Sequence, residues 1–252
     1  MCARGSFRLK GAGRIWFGVV ATVLLALAGI GAWSYRHLLR TASLPAKPRT
    51  IEEVVRVLAP QVDQRVRPAF ERAEAPWPPE QLILLALKEE KRLEIYAAGD
   101  SYGPRLVLSY PILAASGTVG PKLREGDKQV PEGFYRIELL NPNSRFHLSL
   151  RVDYPNAADI EQAGRDGRDL STLGGDIMIH GGAESIGCIA IGDPAVEELF
   201  VLVARTGLDN VQLIIAPYDF RRRNLPAPLE SMPLWSVQLH ERLSAEVKRL
   251  PL

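Results

Sequence analysis

The chain has 252 residues, a formal net charge of +2 and 46% hydrophobic residues, enough for one domain with a substantial core plus a short extension. The net charge hides an asymmetry. Eight of the 31 Lys and Arg lie in residues 1–50, which carry no acid, leaving 23 basic against 29 acidic residues, or −6, in the rest. A mildly acidic body offers no electrostatic footprint for nucleic acid.

Residues 1–14 form a basic tail with Arg4, Arg8, Lys10 and Arg14. Residues 15–33 (IWFGVVATVLLALAGIGAW) are uncharged and mostly apolar; as a helix they would be roughly 28 Å long, about one hydrocarbon core. The run is longer than a usual signal-peptide h-region, so a transmembrane signal anchor is expected. The small residues around Ala28 to Ala32 keep cleavage open as the alternative. Arg36, Arg40, Lys47 and Arg49 balance the leading charges, and the positive-inside rule gives no orientation. Cys2 would sit across the membrane from Cys188, so Cys188 is expected to be a free thiol.

Residues 34–80 read as a linker, proline-broken in 41–50, followed by a juxtamembrane helical segment. There Val55, Leu58, Val62 and Val66 recur at helical spacing and Pro60 predicts a kink or break. Gln81–Leu87 and Leu93–Ala97 are predicted strands around a charged turn. Leu106 to Ala114 is another, with Pro111 marking an edge or bulge. A polar, turn-rich loop from Gly120 leads to a strand at Phe134–Leu140. Phe146–Asp153 alternates as a strand with His147, Ser149, Arg151 and Asp153 on its polar face. Asn156–Gly164 is a short helix, Asp176–His180 a central strand, and Asp193-Pro194 an N-cap with proline at the first helical position. Val211–Ala216 is a buried strand; Trp235, Leu239, Leu243 and Val247 stripe a final helix. The pattern is mainly β (α+β): a sandwich or partly closed barrel with peripheral helices, preceded by the transmembrane helix. The catalytic domain is expected over 81–217 and a helical extension over 218–252.

The chemistry concentrates in residues 176–188, DIMIHGGAESIGC. A thiol, an imidazole and a glycine-flanked loop within nine residues suit nucleophilic catalysis: the imidazole takes a proton, the thiolate attacks an acyl carbon, and loop amides hold the oxyanion. The competing readings are a buried structural cysteine and a metal site. The latter needs at least one further ligand, and no CxxC or HxxxH is nearby. The combination of residues favours catalysis, with no metal.

A series of motifs in order carries a resemblance: Gly120-Pro-Lys122, Glu125-Gly-Asp127, Pro131-Glu-Gly-Phe-Tyr135, Ser144-Arg-Phe-His-Leu-Ser-Leu150, Tyr154-Pro-Asn156, Gly174 to Gly181 and Ser185-x-Gly-Cys188. The chain resembles the YkuD-type L,D-transpeptidase catalytic domain family, and within it the YafK-like branch. That resemblance implies an L,D-transpeptidase-like β-rich fold and a cell-envelope enzyme acting on peptidoglycan stem peptides, with a peptidoglycan-linked envelope protein as a further candidate partner. Taken with the apolar run at 15–33 and the short tail before it, a single-pass inner-membrane protein with its catalytic domain in the periplasm is expected, and the resemblance implies no cofactor. It makes Cys188 the nucleophile attacking a diaminopimelate carbonyl, His180 the general base and Gly181 the source of a carbonyl orienting His180. Amides of Ile186 and Gly187, with that of Cys188, match the oxyanion-hole segment. Ser185, Met178, His147 and Arg145 are candidate substrate contacts. Ile186 and Ala190 stand where most of the family has His and a polar residue, and the His180–Cys188 gap is short. A hydrolase of the same branch that detaches a peptidoglycan-linked protein or stem residue therefore stays open as the alternative, as does a non-catalytic peptidoglycan-binding module.

Overall fold

The computed structural model describes residues 47–224 and 232–252. The anchor expected at 15–33 lies outside them. Among the described residues no helix is long and apolar enough to cross a membrane. Residues 49–252 form one unit.

The first element is helix α1, Ile51–Arg72. Thr50 caps it: its hydroxyl accepts from the Glu53 N–H at 3.1 Å, and the Glu53 carboxylate accepts from the Thr50 N–H at 2.9 Å. The helix runs through Pro60 and Pro68, so the break expected at Pro60 does not occur. Each proline removes one ladder donor. The helix persists because Val62, Val66 and Phe70 are fully buried, the two valines in a cluster with Val201 of a later helix and Phe70 in the principal core.

Nine strands follow in one sheet: β1 Gln81–Leu87, β2 Arg92–Gly99, β3 Tyr102–Pro111, β4 Ala114–Ala115, β5 Gly133–Asn141, β6 Ser149–Val152, β7 Met178–His180, β8 Ile189–Ala190 and β9 Val211–Ala216. Their spatial order is β3-β2-β1-β9-β5-β6-β7-β8-β4. The two edges of this sheet, β3 and β4, are consecutive in the chain. Only Ile112 and Leu113 separate them, so their ends lie at most about 11 Å apart. A nine-stranded sheet can satisfy that only by curling into a half-barrel. The corner is pinned from both sides: the Ile112 N–H donates to Lys91 O at 2.7 Å and the Leu113 N–H to Ala190 O at 2.8 Å. The mainly β fold with surrounding helices follows from this closure.

Helix α2, Ala157–Arg165, is capped by Asn156 and Asp159. Helix α3, Asp193–Thr206, buries Val196, Leu199, Phe200 and Val203 in the principal core with Ile179 and Ile189. Helix α4, Trp235–Val247, buries Leu243 and Val247 in a second core beneath β1 and β9. It is tied down at His240, whose Nε2 lies 2.8 Å from the fully buried Glu132 carboxylate. Lys88 Nζ, also buried, donates to Glu132 at 2.8 Å and to Val130 O and Gly120 O. One node thus joins α4, the β1–β2 turn and both ends of the 120–130 loop.

Three strand expectations change, the first being Leu106–Ala114, which is split into β3 and β4 by the corner at Ile112 and Leu113. The strand read from Phe146 begins only at Ser149, because His147 adopts a left-handed φ of 71°. The strand read from Asp176 begins at Met178, because Asp176 has φ 53°. Both residues therefore leave the faces that alternation assigned them.

Candidate active site

Strands β7 and β8 run parallel, with Ile179 opposite Ile189 and His180 opposite Ala190. Both isoleucines point into the principal core. By the two-residue period of a strand, His180 and Ala190 occupy the other face, and Met178 and Cys188 stand one step before the paired isoleucines. Cys188, immediately before β8, thereby stands diagonally from His180 at the end of β7. Such positions lie about 7–8 Å apart at the backbone, within reach of an aromatic ring.

The imidazole is buried and oriented. His180 Nδ1 lies 2.6 Å from Gly181 O. A carbonyl only accepts, so Nδ1 carries the proton and Nε2 presents a lone pair. Nε2 has no hydrogen-bond partner among the described residues. The Phe146 ring covers the imidazole, with centroids 4.6 Å apart. Burial holds His180 below the ordinary value of 6.5, and the bond to Gly181 opposes that only in part. Gly181 is required by close approach: a Cβ there would stand 2.5 Å from Asp193 Oδ1 and 2.6 Å from Phe146 O.

Cys188 is a half-buried free thiol. Its sulfur accepts from the Met178 N–H at 3.4 Å and donates to Asp176 O at 3.6 Å. No hydrogen bond joins it to His180. Burial pushes the thiol above its ordinary value of 9.0; the Met178 N–H opposes this, Asp176 adds to it and the Lys122 charge opposes it. The resting pair is thus a neutral thiol and a neutral imidazole. A cavity of about 330 Å³ opens at the sulfur, walled by Lys122, Glu125, Lys128, Asp176, Ile186 and Gly187. His180 is not among its walls. Cavities of about 210 and 600 Å³ elsewhere contain neither residue.

Two of the three loop amides are engaged. The Gly187 N–H donates to Ser116 Oγ at 2.6 Å, and the Cys188 N–H to Ser185 Oγ at 3.1 Å. Ile186 N–H has no partner among the described residues, and the Ile186 side chain is 75% exposed. Ser185 therefore faces the Cys188 backbone, and Met178 meets the sulfur through its own. His147 does not line the cavity: its Nε2 lies 2.9 Å from Glu197 of α3, because the left-handed turn swings it away. Arg145 is exposed, with no ion pair among the described residues. Arg151 lies between the carboxylates of Glu138 and Asp176. Lys122 and Asp127 bridge at 2.8 Å and brace the loop, Asp127 also accepting from the Leu123, Arg124 and Gln129 N–H groups. Asp193, read as an N-cap, is the first residue of α3 after Gly192, and accepts instead from the Gly182 N–H at 2.8 Å. Ser116, Phe146 and Asp193 are site residues that the sequence reading missed. Among the described residues no three His, Cys, Asp or Glu side chains gather to hold a metal ion.

A curled sheet thus holds an oriented imidazole at the end of β7 and a free thiol just before β8, beside a glycine loop. The sequence pattern of the YkuD L,D-transpeptidase catalytic domain matches residues 80–213, more than half of the chain, which therefore belongs to that family. The protein named "Putative L,D-transpeptidase YafK" in Escherichia coli K12 is 37% identical over 144 residues, 55% of this chain and 54% of that protein. The counterpart in E. coli O157:H7 gives the same figures. The chain thus spans about half the length of the curated relatives it matches. Among solved structures, the helical cell shape determining protein Pgp2 of Campylobacter jejuni overlays with TM-score 0.46 at 23% identity, over 65% of this chain and 53% of that one. Bd1075 of Bdellovibrio bacteriovorus overlays with TM-score 0.40 at 17% identity, over 67% and 55%.

Proposed function

We propose that the protein is a cell-envelope cysteine L,D-transpeptidase that acts on diaminopimelate-containing peptidoglycan stem peptides, held at the inner membrane by residues 15–33 with its catalytic unit in the periplasm. The observation that supports the reading is the Nδ1–Gly181 bond, which leaves Nε2 of a buried, neutral His180 unprotonated, on a strand whose pairing sets His180 opposite Ala190, two residues after Cys188. After rotation about the Cys188 Cα–Cβ bond, Nε2 takes the thiol proton as sulfur bonds to the diaminopimelate carbonyl carbon. The carbonyl electron pair moves to oxygen, where loop amides receive it. Collapse breaks the C–N bond, the leaving amine takes the proton from His180, and a thioester remains. A second amine then attacks the thioester carbon and expels the Cys188 thiolate, which regains a proton.

Water in place of that amine would make the enzyme a hydrolase. Ile186 and Ala190, apolar beside Cys188, favour that second reading. Incubating the full-length protein with defined muropeptides, free and protein-linked, and weighing the products by mass spectrometry tests both. One covalent adduct at Cys188 is expected, absent in Cys188→Ala. A wild type that folds but forms no adduct overturns the proposal. A cross-linked product identifies transfer, and a shortened one hydrolysis.

A further inference from the structure

We infer that Ser116 gates the oxyanion-binding amide of Gly187, its hydroxyl having to swing aside before an acyl oxygen can be bound. The inference rests on the acyl-enzyme reading above and adds a positioning residue to it.

Ser116 reaches the loop through sheet pairing. Ala114 opposes Ala190 and Ala115 opposes Ile189 in the antiparallel β4–β8 pair, so the next residue, Ser116, comes level with Cys188. A serine hydroxyl has one proton and two lone pairs. The proton goes to Lys128 O at 2.7 Å, and a lone pair receives the Gly187 N–H at 2.6 Å. An acyl oxygen is likewise only an acceptor. It needs the same N–H, and the hydroxyl oxygen stands where that oxygen would have to be. Gly187 has φ 82°, a left-handed conformation suited to glycine, which fixes the direction of this N–H.

With the Cys188 N–H on Ser185, two of the three loop amides are held by serine hydroxyls in the resting enzyme. The hydroxyls satisfy both donors, and an unpaired amide is costly to leave in a cleft. The arrangement also sets a toll on acylation. Ser116 can leave readily: it is half-buried, and Lys128 is exposed, so water can replace the hydroxyl at that carbonyl. Ser116 therefore slows bond formation at Cys188 without touching the reacting atoms.

The test follows acylation of the full-length protein by a carbapenem, with the adduct counted by mass spectrometry. Exchanging one neutral hydrogen bond for another in this way makes Ser116→Ala about fivefold faster at saturating carbapenem. The half-saturating concentration stays the same, and Ser116→Thr, which restores the hydroxyl, returns the rate toward wild type. A misfolded variant cannot produce such a gain. An S116A rate equal to or below wild type, with wild-type acylation intact, overturns the gate alone; no adduct in the wild type overturns the proposed function itself. An independent measurement uses the Gly187 amide proton by NMR in the wild type. Its resonance moves on acylation, as the serine oxygen is replaced by the acyl oxygen; an unmoved resonance overturns the gate.

Discussion

At the scale of single residues, the decisive feature is that both reacting groups rest uncharged. Burial lowers His180 and raises Cys188, so neither a preformed thiolate nor an imidazolium is held in reserve. An imidazole can accept a proton only while neutral. The acylation rate is therefore expected to rise with pH through a value below 6.5 and to be flat at neutrality. Alkylation of Cys188 by iodoacetamide reports the thiolate directly and is expected to titrate above 9.0. A midpoint near neutrality would show an ion pair instead. His180→Gln removes the base and is expected to slow acylation about 10²- to 10⁴-fold. Gly181→Ala places a methyl against Asp193 and the Phe146 carbonyl. It is expected to cost about 1–3 kcal/mol in thermal unfolding and to lower acylation, because the carbonyl that orients His180 must shift.

At the scale of elements, the Lys88–Glu132–His240 node sets where the loop over the cleft begins and ends. Burial pushes the Glu132 carboxyl up, but the His240 bond, the Lys88 charge and the Gly120 N–H together hold it below its ordinary 4.5. Its contribution to stability is present above 4.5 and is lost as pH falls through the lower folded value. Lys88 itself is pushed down by burial more than Glu132 restores, so the node fixes position more than it adds net stability. Lys88→Met strips a buried carboxylate of its cation and is expected to cost about 3–5 kcal/mol by urea denaturation. Nothing in the sequence announced this node, since its members lie far apart along the chain. The strands themselves were legible where burial on both faces leaves continuous apolar runs, as in Gln81–Leu87 and Val211–Ala216. Alternation misled at His147, because a left-handed turn leaves the polar–apolar pattern intact while redirecting the side chain. Cys188 and His180 were visible from their chemistry and spacing. Ser116 was not, because only the β4–β8 register brings it beside Gly187.

At the scale of the whole molecule, helix α1 is part of the folded unit although it lies outside the segment matched to the family. Phe70 packs edge-on against Trp77 with centroids 4.8 Å apart, and Val54 and Phe70 belong to the principal core. A chain starting at residue 47 is expected to melt in one transition by circular dichroism. One starting at Gln81 is expected to show no cooperative unfolding, because it leaves the Val201 surface open to water. The corner at Ile112 and Leu113 has a mechanical consequence. Strand β8, which follows Cys188 directly, and β3, the outermost strand of the far hairpin, are held by a two-residue clasp, anchored at Lys91 on one side and at Ala190 on the other. Prying the hairpin outward would tug directly on the bed of the cysteine, and a clasp one residue longer would let the groove gape.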